Sequence, residues 1–181
     1  MSGASSQPSK ESDFKFRRYP SERLWIDSIR SRLSDTEQFV RMRIMDWIIA
    51  AGSPVGPISL WSPAELKGLE TAAVVQNLIS KHVIVANEKA EIVFAYPVSA
   101  FPTNHKVRLS DGKVFFAMCA VDALGAAFTF NQDSTVDSVC SRCGKPVHAG
   151  VRSGKISEST SQDIHVLHAD LKINDNWAVT C

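Results

Sequence analysis

The chain has 181 residues, 44% hydrophobic and 22% charged, with a formal net charge of +1. That composition suits a globular protein with one full core or two small ones, and a charge so near zero gives no basis for a nucleic-acid or membrane surface. No apolar run nears the ~20 residues that span a bilayer, and the polar start, 1–12, lacks the apolar stretch of a signal peptide. The four cysteines are therefore expected to be reduced, in the cytoplasm, and available for catalysis or metal binding.

Residues 1–13 are Ser-rich and expected to be disordered. In 14–20, Lys15, Arg17 and Arg18 alternate with Phe14, Phe16 and Tyr19, which suits a short arm packing its rings on the domain. Leu24, Ile26, Ile29 and Leu33 predict a short helix ending near Ser34. Ser34 or Asp35 can cap a second helix, in which Phe39, Val40, Ile44, Trp47 and Ile48 recur at helical spacing. Gly52 ends it, with Pro54 just beyond. Ser62, Pro63 and Glu65 have the order of a helix start: cap, first position, third position. The pattern of Val74, Val75, Leu78 and Ile79 predicts a helix over 71–81. A hairpin follows, 83–85 and 91–96, around Asn87-Glu88-Lys89.

Three helices and a hairpin are the order of a winged helix. In a DNA-binding version, 71–81 would enter the major groove. It offers Gln76, Asn77, Ser80 and one basic residue, Lys81, too little to neutralise phosphates. A structural winged-helix-like domain is expected, with neither nucleic acid nor membrane as partner.

After Pro97 the pattern changes to strands. A strand is predicted at 105–109, a tight turn at Ser110-Asp111-Gly112-Lys113, and a returning strand at 114–118. A helix is predicted at 119–128 and further strands at 136–139, 146–151 and 164–171, with turns at Gly144 and 150–154.

Two groups of residues carry chemistry. If Cys119 opens the helix, Asp122 lies one turn on, on the same face, and a helix N-terminus favours a thiolate. The pair then fits a nucleophile or soft-metal ligand beside a carboxylate; a buried cysteine and an ordinary first-turn aspartate fit the spacing too. Cys140-x-x-Cys143 is half a zinc site, a redox pair, or a packing feature. A second half would need Cys119, Cys181, His148, His165 or His168. His165 and His168, three apart, cannot share a strand face, and tightly bound zinc is not expected.

The run Val114-Phe115-Phe116-Ala117-Met118-Cys119-Ala120-Val121-Asp122-Ala123-Leu124 resembles the core motif of the organomercurial (alkylmercury) lyases, an apolar strand running into Cys-Ala-x-Asp-x-Leu. Ser138-Val139-Cys140-Ser141-Arg142-Cys143-Gly144-Lys145-Pro146-Val147 is similar to the family's Ser-x-Cys-x-x-x-Gly-x-Pro-Val segment. Trp177-Ala178-Val179-Thr180-Cys181 sits where the family carries its second mercury-binding cysteine. The resemblance covers roughly 90–181. It departs from the family at Met118, where a bulky aromatic is common, and at Cys143, which has no cysteine counterpart.

The resemblance implies protonolysis of a carbon–mercury bond, giving a hydrocarbon and Hg(II). Cys119 and Cys181 would be the thiolates and Asp122 the group that takes a thiol proton and passes it to carbon. No cofactor is required. The partners implied are an organomercurial, free thiols and a mercuric reductase that takes up Hg(II). The cysteine matching Cys140 is structural in the family; with Cys143 it is carried here as a structural or secondary metal pair. The family continues beyond the position of Cys181, so the chain is expected to be C-terminally shortened, with weak turnover.

The fold expected is α+β: an arm at 1–20, a winged-helix-like helical domain at 21–97, and a mixed β-sheet domain at 98–181 with a short active-site helix. The alternative function is a winged-helix metal-responsive transcriptional regulator, or a non-catalytic soft-metal-binding protein.

Overall fold

The structure is a computed structural model, which describes residues 28–56, 70–161 and 164–166. The backbone falls into two compact units, Met1–Arg32 and Leu33–Cys181. Of the first, only a single 3-10 turn, Ile29–Arg32, and the residue before it are described. The start of the short helix expected after Leu24 and the helix start at Ser62 lie outside the described residues.

Helix α1, Asp35–Ala51, begins as its sequence dictates. Ser34 Oγ accepts the Glu37 N–H at 3.2 Å, and Glu37 Oε2 accepts the Ser34 N–H at 2.8 Å. Two otherwise orphaned N–H groups are thereby satisfied. Gly52, at φ 61°, closes the helix by donating its N–H to Ile48 O. Val40, Ile44, Met45 and Ile48 form the buried stripe. Glu37 and Arg41 are buried on the same stripe. Glu37 is ion-paired with Lys81 at 2.6 Å, and that hydrogen bond leads the causes that hold its carboxyl below the usual range.

Helix α2, Thr71–Ser80, buries Val75 and Leu78. It packs on α1 and on strand β1, Ile84–Ala86. Strand β2, Ile92–Ala95, pairs with β1 as the expected hairpin. Asn87 Oδ1 accepts the N–H groups of Lys89 and Glu91 and so fixes the turn.

A cis peptide at Tyr96–Pro97 leads into β3, Val98–Ser99. Next come β4, His105–Leu109, and β5, Val114–Ala117, then helix α3, Ala120–Phe130. The remaining strands are β6, Ser134–Val139, β7, Pro146–Arg152, and β8, Lys155–Ser159. All eight join one sheet in the order β1-β2-β3-β5-β4-β6-β7-β8. Helix α3 lies on β4, β5 and β6. It buries only the small side chains Ala123, Ala126 and Ala127, which allow a close approach.

Three expectations need correction. The sheet is not mixed: every pairing among the described residues is antiparallel. Short hairpin links account for β1–β2, β2–β3, β4–β5, β6–β7 and β7–β8, because a parallel neighbour needs a long crossover; β3–β5 and β4–β6 are antiparallel neighbours that are not consecutive in the chain. Two strands went unanticipated. β3 is only two residues long. β8 is wholly exposed, so no apolar alternation marks it; its two-residue turn, Ser153-Gly154 with φ 48° and 72°, has the backbone that joins tight hairpins. Finally, 164–166 form no strand; the rest of the strand expected at 164–171 lies outside the described residues.

Candidate active site

Strand β5 is held from both sides, by β3 and by β4. Its alternation buries Phe115 and Ala117. The Thr103 hydroxyl donates to Ala117 O, and the Met118 N–H donates to Pro97 O at 3.3 Å. The strand end is thereby fixed before the chain turns into α3. Cys119 is the N-cap residue, extended at φ −142° and ψ 177°, and its side chain caps no backbone N–H of the helix.

The thiol turns instead to the third helical residue. Cys119 Sγ donates to Asp122 Oδ2 at 3.3 Å. Asp122 also accepts the Cys119 backbone N–H. The carboxylate thus reaches back to the cap residue as the acidic member of a capping box does. The spacing expectation for this pair is realised as a direct contact.

Asp122 is half-buried, with its carboxyl group on the buried side. Burial pushes the carboxyl up to about 6. The thiol bond from Cys119, the charge of Arg41 and the Cys119 N–H all oppose that rise without cancelling it. A carboxyl poised there exchanges protons near neutral pH, as a general acid–base must.

Arg41 is the residue that the sequence reading missed. Its guanidinium is buried, only 2% exposed. Nε and Nη2 donate to Tyr96 O and Nη1 donates to Gln38 Oε1 at 3.1 Å. A buried charge costs free energy unless it is bonded, and its influence on Asp122 links α1 to the head of α3. A signal was present: an arginine between Val40 and Ile44 on the apolar stripe of α1.

Cys140 and Cys143 lie in the turn from β6 to β7, as part of neither the β5–α3 junction nor any metal-ligand group of three among the described residues. Hydrogen bonds from the Cys143 N–H, the Arg142 N–H and the Cys143 thiol hold the Cys140 thiol below its ordinary range, joined by the charge of Arg142. His148 is bonded through Nδ1 to Asp137 Oδ1 at 2.8 Å. His165 is exposed; His168 and Cys181 lie outside the described residues.

Comparison with known proteins bears on the segment that carries the Cys119–Asp122 pair. Residues 98–181 match the alkylmercury lyase family. That span takes in Cys119, Asp122, Cys140, Cys143 and Cys181, and bears out the resemblance carried by the motifs. Among solved structures, the crystal structure of the mercury-bound form of MerB2 is similar, at a TM-score of 0.53 and 28% identity. The similarity covers 72% of this chain and 62% of that one, so this chain matches less than two thirds of that protein's length. No curated protein matches.

Proposed function

We propose that the protein is an organomercurial lyase, cleaving carbon–mercury bonds by protonolysis. The observation that carries this reading is the 3.3 Å contact between Cys119 Sγ and Asp122 Oδ2 at the head of α3, inside the segment that matches the lyase family. Mercury is soft, so a thiolate captures it in preference to oxygen or nitrogen donors. As the sulfur–mercury bond forms, the Cys119 proton passes to Asp122 Oδ2 along the existing hydrogen bond. A second thiolate, assigned to Cys181, raises the electron density on mercury and weakens its bond to carbon. Asp122 then gives its proton to that carbon, and the carbon–mercury electron pair becomes the new carbon–hydrogen bond. The hydrocarbon leaves and Hg(II) stays on sulfur until free thiols, or a reductase, remove it. A reducing cytoplasm would supply those thiols.

The raised carboxyl of Asp122 suits both halves of this cycle, since it can accept a proton and return it near neutral pH. The regulator alternative gains nothing: α2 exposes Ala72, Ala73, Gln76, Asn77 and Ser80, and Lys81 is bound to Glu37. The test is benzene release from phenylmercury in excess thiol, by the wild type and two variants. Cys119→Ser should abolish turnover and mercury retention at this site. Asp122→Ala should keep mercury affinity and slow cleavage by about 10²- to 10⁴-fold, the range for a lost general acid–base. Full activity of Cys119→Ser would overturn the assignment.

A further inference from the structure

The turn between β6 and β7 holds chemistry that the proposed reaction leaves unused. Strand β6 ends at Val139 and β7 begins at Pro146. Between them the chain closes tightly: the Cys140 N–H donates to Lys145 O, and the Gly144 N–H to Cys140 O, each at 2.9 Å. Gly144 takes the left-handed conformation, φ 70°, that lets the loop close. Residues three apart on an extended strand would point to opposite faces. Here the turn, closed by those two backbone bonds, keeps Cys140 and Cys143 in one tight loop, and hydrogen bonding from Cys143 and Arg142 holds the Cys140 thiol below its ordinary range. Convergent backbone N–H groups make a small anion-binding nest, which holds a thiolate in place. Cys143 is exposed, Cys140 half-buried, and both are free thiols.

We propose that Cys140 and Cys143 form a second soft-metal site, a dithiolate that takes Hg(II) by exchange with small thiols. The proposal rests on the lyase reading in one respect: Hg(II) is then the protein's own product. Two thiolates are a complete donor set for Hg(II), which is satisfied by two sulfurs in line, whereas they are half of what a structural zinc ion requires. In the exchange, two mercury–sulfur bonds to small thiols break and two form, to Cys140 and Cys143. The two cysteine protons leave on the two departing small thiols, and no oxidation state changes. Arg142 and Lys145 flank the pair. They favour approach of mercury as a complex of anionic thiols over approach as a bare cation.

Pairing matters because the second sulfur acts intramolecularly, which raises apparent affinity by roughly 10²- to 10⁴-fold over a single thiol. The experiment uses the full reduced chain carrying Cys119→Ser, which removes the proposed catalytic thiol but leaves this turn intact. The variant is equilibrated with Hg(II) in excess glutathione, desalted, alkylated, and mapped by mass spectrometry. The expected result is one Hg(II) per chain, with Cys140 and Cys143 both protected. Adding Cys143→Ser should weaken retention by at least about 100-fold. Loss of retention in the Cys119→Ser chain, or retention with Cys140 and Cys143 freely alkylated, overturns the proposal. So does protection by a disulfide, recognised by loss of two hydrogens without added mercury. Benzene release by the wild type tests the lyase reading separately, so failure of one is distinguishable from failure of the other.

Discussion

Replacing Asp122 by Asn probes the site without any mercury. Asn keeps the shape and one acceptor oxygen for the Cys119 donors, and like the protonated carboxyl it carries no charge. The folded state holds the Asp122 carboxyl at about 6 against an ordinary value of 3.8. Between those pH values the folded chain binds more protons than the unfolded one, so this group's contribution to stability falls as pH rises. The difference is about two pH units, which at 1.36 kcal/mol each is about 3 kcal/mol. It is an upper bound, since the exposed part of the residue is screened by water. Asp122→Asn should therefore be more stable than the wild type at pH 8 by up to about 3 kcal/mol. The gain should start to shrink as pH falls through 6 and be nearly gone at pH 4, close to the ordinary value of 3.8 at which the unfolded chain is protonated as well. Urea unfolding of both chains at pH 4, 5, 6, 7 and 8, under reducing conditions, measures it. A difference that stays constant across that range would refute the claim that Asp122 titrates near 6. A variant less stable at pH 8 would show that the native carboxylate is net stabilising there.

Two further outcomes follow from the same contacts. Arg41→Met removes a positive charge that lowers the Asp122 carboxyl, so the Asp122 titration, followed by carboxyl carbon-13 chemical shift, should move upward from about 6; a downward shift would show that the charge acts elsewhere. Ser34→Ala removes the acceptor for the Glu37 N–H and should cost about 1 kcal/mol, as lost N-caps do, read from thermal or urea unfolding; no change would mean that α1 does not rely on its capping box.

Much of the candidate site was legible because its signals are local. The strand before Cys119 alternates, its turn is Ser110-Asp111-Gly112-Lys113, and a cysteine followed three residues later by an aspartate has few geometries once a helix starts between them. The realised contact, thiol to carboxylate at 3.3 Å, follows from that short stretch alone. The capping of α1 was legible for the same reason: Ser34, Glu37 and Gly52 act through backbone groups within one helix.

What escaped depends on distant partners. Strand β3 has two residues, too few to show a period, and exists because β2 and β5 flank it. Strand β8 has no buried residue and is ordered by pairing with β7. Arg41 reads as a polar interruption in an apolar stripe until Tyr96, fifty-five residues on, supplies the carbonyl that receives it. This has a consequence for the site. Asp122 is raised by burial and restrained by the Arg41 charge, so its proton affinity is the balance of a local term, set by Cys119 and the start of α3, and a remote one, set by α1. The motif alone specifies that a carboxylate meets a thiol. How readily that carboxylate gives up its proton is set first by its burial and by the Cys119 thiol, and is then adjusted by a charge on a helix outside the family-matched segment 98–181.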